Sequence, residues 1–573
     1  MYKILLPTGD YLEGQFDLTF ELSNQVFSTS ASSVLPGPFS FPATVPLTGT
    51  NKELLGHPHL VNNSKNWQTY EGVWVECYGV KMFYGTLKIT GCNNLQCKIT
   101  IVANPIKDLK STKLNELDLG GSRNLGADSA AARAHAKDTF TTPADYDYIF
   151  FPVLNPIFLD APSGSDESVF QNYYDPAAAA FVDGSGNVAA TPFVKLQYLL
   201  ESIFTGGEFT FENAFQTTGE LRLLYLWNNR SIYTTAPAWG TDIDLRNHVS
   251  DMTCTDFVKA LMGVFCLGLF SNPFSKKLRL VPLETLMARP PRHNWTQHVV
   301  SDPEFDDPSV APAGFAFEPG GDAIETRYTQ YRTERLGAWG DVLGIYDEYD
   351  VFFADTPAAG LYYVRDKGAY YYHTGIAAGV TFMWQELGAA PAEHTPIGLR
   401  TPDNAFLARL LPTWENMRIY HDLGGIYDYP LTPAMEAQGI VKYTSGPDTI
   451  EQNPALEMRL MFYRGTYPAV TTGTYPMGNT LSFADDGSEP YTYSLRWNGT
   501  SGLYNRWWKT WHTALTGKNI TLQLALPVAD LVAFSFEDKV RIASMDFFAK
   551  KLRVGKPLGR GKVLVEASLV SVI

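Results

Sequence analysis

The sharpest hydrophobic pattern in the chain lies at 251–283, DMTCTDFVKALMGVFCLGLFSNPFSKKLRLVPL. Phe257, Leu261, Val264 and Phe265 recur at helical spacing and predict a helix with one apolar stripe. Thr253 or Thr255 caps its first free N–H groups, and Asp256 adds favourable charge there. Cys266–Phe270 then predicts a strand, Ser271–Ser275 a turn at Asn272–Pro273, and Lys277–Leu283 a return strand. A second helix–strand pair precedes this unit. Phe193, Leu196, Leu199, Leu200, Ile203 and Phe204 form its stripe. Thr191–Pro192 supplies a cap and a first-turn proline, and Gly206 and Gly207 end the helix. Phe209–Phe211 and residues 221–227 (LRLLYLW) read as strands.

Most of the remaining chain has period two. Phe16, Leu18, Phe20 and Leu22 alternate with polar neighbours, as do Leu95, Cys97, Ile99 and Ile101. Gly72–Cys77 and Lys81–Ile89 predict a hairpin around Gly79. Between these lies LPGPFSFPATVPLTGTN, which reads as an extended arm ordered by its prolines rather than by ladders. Ala130–Ala136 predicts a short helix amid loops rich in Gly, Ser, Asp and Pro. Leu361–Val364 and Ala369–His373 predict a Tyr-rich hairpin turning at Asp366–Gly368. Toward the end, Leu456, Met458, Leu460 and Phe462 alternate, and so do Ile520, Leu522, Leu524 and Leu526. Leu503, Trp507, Trp511 and Leu515 stand four apart and predict a helix ended by Gly517. Val540 and Ile542 begin a strand, and Lys562–Val572 is the last.

The chain of 573 residues is long enough for roughly four domains. The pattern divides it into an N-terminal β domain (1–105), a loop-rich insertion (106–190), an α/β domain of two helix–strand units (191–285), a Pro- then Tyr-rich β insertion (286–400) and a C-terminal β domain with one helix (401–573). Aromatic residues at 13% favour strands. The fold class is therefore a β-rich, multidomain α+β protein. The net charge of −15 argues against a nucleic-acid-binding surface. Five cysteines, an odd and sparse set, argue against a disulfide framework. Cys254 and Cys266 sit in apolar sequence as small core residues. The opening MYKILLPTGD does not read as a signal peptide, because Pro7 breaks the apolar run, and no run is long enough to span a membrane. A protein made and folded in cytoplasm is expected.

The sequence offers no catalytic, cofactor-binding or metal-binding residue. No nucleophile elbow, metalloprotease helix or phosphate loop occurs. Gly555, Gly559, Gly561 and Lys562 have the wrong spacing for a phosphate loop and read as a turn between strands. His57 and His59, and His293 and His298, read as surface histidines. Cys92 and Cys97 lack a second ligand pair at zinc spacing. Carboxylates at Asp302, Glu304, Asp306 and Asp307, and at Asp347, Glu348 and Asp350, read as solvated loops. Tyr362, Tyr363, Tyr370, Tyr371, Tyr372 and Trp384 offer rings for stacking on sugars, and a β core explains them equally well.

Six stretches together carry a family resemblance: FPATVPLTGTNKELLG near the start; PFVKLQYLLESIFTGGEF and TDFVKALMGVFCLGLFSNPFSKKLRLVPL in the middle; and SLRWNGTSGLYNRWWKTWHTAL, GKNITLQLALPVADLVAFSFEDKVRIASMDFFAKKLRV and KVLVEASLVSVI at the end. In this order the chain resembles the tail-hub, or baseplate-hub, proteins of tailed bacteriophages and phage-derived contractile injection systems. The resemblance implies tail-tube-like β-barrel domains with small α/β domains between them. It implies a homo-oligomeric ring, typically a trimer, joining the tail tube to a spike or tip and enclosing a channel for DNA or a tape-measure protein. DNA is then met only in transit. The site implied is the virion tail, assembled in host cytoplasm. No enzyme activity follows from it. The alternative is a peripheral receptor- or glycan-binding tail-tip protein; a polysaccharide hydrolase is a more distant one.

Overall fold

The computed structural model describes residues 2–16, 20–23, 39–60, 69–103, 111–154, 170–182, 190–305 and 458–572, the last two with short gaps, and separate strands between 342 and 442. It is a β-rich α+β structure. The N-terminal sheet has the order Tyr11–Phe16, Tyr2–Leu5, Thr69–Cys77, Val80–Cys92, Gln96–Ala103, Phe39–Pro46. Its predicted central hairpin turns through Tyr78 and Gly79, both at positive φ (52° and 79°), as a two-residue turn matching strand twist requires. Tyr2, Ile4, Val75, Phe83, Ile99 and Ile101 fill its core.

The proline-rich stretch is part of this sheet, which corrects the expectation of an arm ordered without a ladder. Phe39–Pro46 pairs antiparallel with Gln96–Ala103 along its whole length. Leu47 N donates to Leu95 O at 2.8 Å, which fixes odd-numbered residues as donors to the partner strand. Pro42 and Pro46 have the other parity, so their missing N–H groups cost the ladder nothing on an edge strand. The chain then enters the helix Gly49–Leu54, capped by the Thr48 side chain. Asn51, fully buried, locks the turn: its Nδ2 donates to Glu13 O and Pro46 O (both 2.7 Å), and its Oδ1 accepts from Glu13 N (2.9 Å). Cys92 and Cys97 are cross-strand partners and form a disulfide. The sparse cysteine count had argued against a disulfide framework; one local bond forms because the hairpin sets the pair opposite each other.

The C-terminal sheet runs His293–Asn294, Lys539–Ile542, Met545–Gly559, Lys562–Ser571, Asn519–Pro527, Glu304–Phe305. Phe20–Ser23 joins it by pairing with Lys551–Val554, so the two ends of the chain are built into one another. The alternating residues Ile520, Leu522, Leu524 and Leu526 all face its core, as predicted. A short helix, Val528–Ala533, was not predicted.

Between the sheets, Cys254–Phe265 is the predicted helix. Thr253 is its cap, accepting from Asp256 N at 3.1 Å. Cys266 takes the left-handed conformation (φ 47°) that ends the helix. Leu267–Asn272 and Lys277–Pro282 follow as an antiparallel pair, and Thr210–Asn213 adds in parallel to the second. Leu283 does not extend the return strand; it starts the helix Leu283–Ala288. Two further readings are corrected. Phe193 lies in a strand, Phe193–Lys195, and the helix is Leu196–Phe204 with no side-chain cap. Thr191 instead exchanges backbone hydrogen bonds with the Asn172 amide (2.7 and 2.8 Å). Residues 221–223 belong to a helical turn, Gly219–Arg222, and its end, and the strand is Leu224–Asn228. That strand joins a five-stranded sheet with Thr474–Asn479, Met458–Pro468, Phe193–Lys195 and Tyr148–Ile149.

The Ala-rich helix is longer than predicted, Ser129–Thr141, with Asp128 as cap. The Trp-bearing helix opens with a wide turn at Tyr504–Trp508 and continues as Lys509–Ala514. Leu503, Trp507 and Trp511 are buried on one stripe, as read from sequence; Leu515 and Gly517 lie outside the described residues. Gly360–Val364 and Ala369–Ala377 form the predicted Tyr-rich hairpin, whose turn lies outside the described residues. They belong to an eight-stranded sheet that also takes Val153–Leu154 and Phe170–Gln171.

Candidate functional site

The groups that drew attention as candidate chemistry are scattered. Asp302, Glu304 and Asp347 are exposed; Asp306, Asp307, Glu348 and Asp350 lie outside the described residues. Gly559, Arg560 and Gly561 form the tight turn of a hairpin, all at positive φ, as expected of a turn between strands. His57 is exposed. His293 and His298 are not surface histidines as expected: their side chains are largely buried, His293 facing Asp538 and His298 facing Asp530. Cys254 and Cys266 are buried, and burial pushes the Cys254 thiol up to about 11. Among the described residues no group of three His, Cys, Asp or Glu could hold a metal ion. Among them, too, no helix is long and apolar enough to cross a membrane.

The densest polar construction is a joint where the middle of the chain meets the C-terminal sheet. The segment after the helix Val528–Ala533 turns at residues 534–538 and aims Glu537 and Asp538 inward, both under 10% exposed. Arg279, on the strand Lys277–Pro282, donates to Glu537, and Arg289 reaches the same oxygen at 3.3 Å. Arg279 also holds Glu212 on the neighbouring strand at 3.0 Å. Asp538 accepts from Ser535 N (3.1 Å) and Arg292 (3.3 Å), and pairs with His293 Nε2 at 3.2 Å. Burial alone would raise the Asp538 pKa. The His293 hydrogen bond and the Arg292 charge outweigh it and hold the carboxyl below its ordinary value of 3.8.

Apolar groups close this joint. Trp295, 1% exposed, packs on Phe534 with ring centroids 5.2 Å apart. Arg292 N donates to Lys539 O and Trp295 N to Arg541 O, both at 2.9 Å, so the backbone is stitched on either side of the charges. A second clasp lies nearby in the fold: Trp507 stacks on Tyr493 (5.3 Å) and meets Phe215 and Phe265 edge-on (5.7 and 5.6 Å). The arrangement offers no exposed nucleophile and no acid–base pair open to a substrate. Sequence reading missed it, because Glu537 and Arg279 stand 258 residues apart; the only local sign is an acidic pair, Glu537–Asp538, inside an apolar run.

The N- and C-terminal sheets meet at their own seam. Tyr2 donates to Gly555 O at 2.6 Å, and Gly559 N donates to the Tyr78 hydroxyl at 2.9 Å. Lys276 Nζ sits 3.2 Å over the Tyr84 ring centre and ties the middle unit to the first sheet.

No family model and no curated protein matches the chain. Among solved structures, the chain is similar to the 43 kDa tail protein of prophage MuSo2 from Shewanella oneidensis, at 6% identity and a TM-score of 0.28, covering 99% of this chain and 96% of that one. It is also similar to a tail protein from Neisseria meningitidis MC58, at 8% identity and a TM-score of 0.29, covering 99% and 95%.

Proposed function

We propose that this chain is a structural, non-enzymatic component of a bacteriophage-type tail: a hub that links the tail tube to the tip or spike and surrounds the ejection channel. The observation that carries the reading is the build of the chain. Two β-sheets from its opposite ends are welded through Phe20–Ser23, with an α/β unit locked against them by buried charges. That order of parts is the one the hub resemblance implies. A part that carries load between a tube and a tip needs large internal joints rather than a reactive cleft, and the joints at Glu537 and Trp507 serve that need. The division at residues 105, 190, 285 and 400, the homotrimeric ring, its tube, spike and tape-measure partners, and assembly in host cytoplasm belong to the same proposal.

The test is an antibody against this chain, coupled to gold and applied to tail particles from producing cells. Label at the distal end of the tail on the axis is the expected result. Label on peripheral fibres would favour the alternative of a receptor or glycan binder, and unlabelled particles would end the tail reading. One observation favours that alternative: the register sets Tyr363 opposite Tyr370, and Tyr372 opposite Trp384, in adjoining strands. Tyr362, 6% exposed, is already taken into the core. Retention of the chain on immobilised host glycans, lost on Tyr370→Ala, would support it.

A further inference from the structure

The long hairpin Met545–Gly559 and Lys562–Ser571 has a charge unlike the rest of the chain. Between Asp546 and Glu566 there are six Lys or Arg and no carboxylate, in a protein with 45 basic and 60 acidic residues. At its tip Lys556, Arg560 and Lys562 are exposed, with no ion-pair partner among the described residues. Two large apolar groups stand with them: Leu558, 46% exposed, and Tyr78, 42% exposed. The tip is held in place. Tyr2 fastens Gly555, and Tyr78 fastens Gly559. Little ordering is therefore left to be lost on binding.

The opposite character appears at the far edge of the same sheet. Glu304–Phe305 is the edge strand, and Asp302 and Glu304 are both exposed. Beside them stand Phe305, 60% exposed, and Val300, 57% exposed. The tip cannot fold back on this edge. The strand Asn519–Pro527 meets the edge at Ile520 and Thr521 and the tip at Pro527. That places them about 20 Å apart along the strand and two strand spacings, about 10 Å, across.

We propose that the basic, apolar hairpin tip docks on the acidic, apolar 300–305 edge of a second copy of this chain. The contact is head to tail, the kind that closes a ring when its rotation is right. The charges steer and register the copies, and Leu558, Tyr78, Phe305 and Val300 supply the apolar centre. The inference rests on the hub reading and names a surface through which its ring is joined. A phosphate backbone would use the cations and leave Leu558 and Tyr78 idle, so a second copy fits the tip better than nucleic acid.

The test is the mass of the purified full-length chain by light scattering after size exclusion. The K556E/R560E/K562E variant and the D302K/E304K variant are each expected to fall from the oligomer to a single chain. The variant carrying all five changes is expected to recover the oligomer, because opposite charges face each other again. Raising salt to about 1 M should lower the wild-type mass in the same direction. Five exposed positions leave the core untouched, and circular dichroism checks that each variant is folded. The proposal is overturned if the tip reversal leaves the mass unchanged, if the combined variant fails to recover, or if the wild type is a single chain. It is also overturned if the tip reversal keeps the mass but abolishes binding to a duplex DNA oligonucleotide. None of these outcomes alters where gold label falls on the tail, so the contact and the hub reading fail separately.

Discussion

Folded Asp538 binds its proton more weakly than the unfolded chain does, because His293 and Arg292 favour its charged form despite burial. A depressed carboxylate pKa contributes stability above the unfolded value, and that contribution disappears as pH falls through the folded one. Asp538→Asn is therefore expected to lower the melting temperature at neutral pH. The gap to wild type should close as pH drops below about 4, where the wild-type carboxyl takes up its proton. A gap that stays constant down to pH ~2 would show that the hydrogen bonds, not the charge, hold the joint. Trp507 and Trp511 are about 5% exposed. Truncating either to Ala is expected to cost about 3–5 kcal/mol, read from denaturant unfolding followed by fluorescence. A loss under ~1 kcal/mol would mean the pocket collapses around the missing ring. The burial of this stripe was legible from the four-residue spacing; its partners Phe215 and Phe265, from another part of the chain, were not.

Among elements, the proline-rich strand shows what pattern reading loses. Four prolines in LPGPFSFPATVP argue locally against a ladder, yet an edge strand needs donors on one side only, and Pro42 and Pro46 fall on the other. The spacing of Phe193 to Leu196 and Leu200 fits a helical turn. The pairing of Phe193 with Ile149 and Val194 with Leu226 overrode that local preference. A cap at Thr253 or Thr255 and a turn around Gly79 were legible because each is decided within four residues; the structure caps with Thr253 and turns through Tyr78 and Gly79. Asn51 is the element-scale test. Asn51→Ala removes three hydrogen bonds that join the helix Gly49–Leu54 to Glu13 and Pro46. A cost of about 1–3 kcal/mol is expected. Hydrogen exchange should quicken in Tyr11–Phe16 and Phe39–Pro46 and stay unchanged in the C-terminal sheet; equal quickening everywhere would contradict a local lock.

For the whole molecule, Glu537 is one of the ties between the middle unit and the last sheet, through Arg279 and Arg289. Glu537→Ala leaves Arg279 with Glu212 as its remaining partner and takes from Arg289 the carboxylate it reaches, and a cost of about 1–3 kcal/mol is expected. Calorimetry should then resolve separate transitions where the wild type shows coupled ones. A variant that keeps the wild-type profile would mean that Trp295 and the backbone stitches carry the joint alone. The sequence by itself determined the period-two strands over 97–101 and 520–526 and the apolar stripes of the helices Leu196–Phe204 and Cys254–Phe265, because each depends on the order of a few neighbouring side chains. It also displayed the basic run at 550–562 and the carboxylates at 302 and 304. Only the tertiary structure decided that Phe20–Ser23 completes a sheet made more than 500 residues later. It alone brought Arg279 to Glu537 and set the basic tip and the acidic edge at opposite ends of one sheet. Pairing between distant segments is settled by which surfaces exclude water together, and that free energy belongs to no single stretch of the chain.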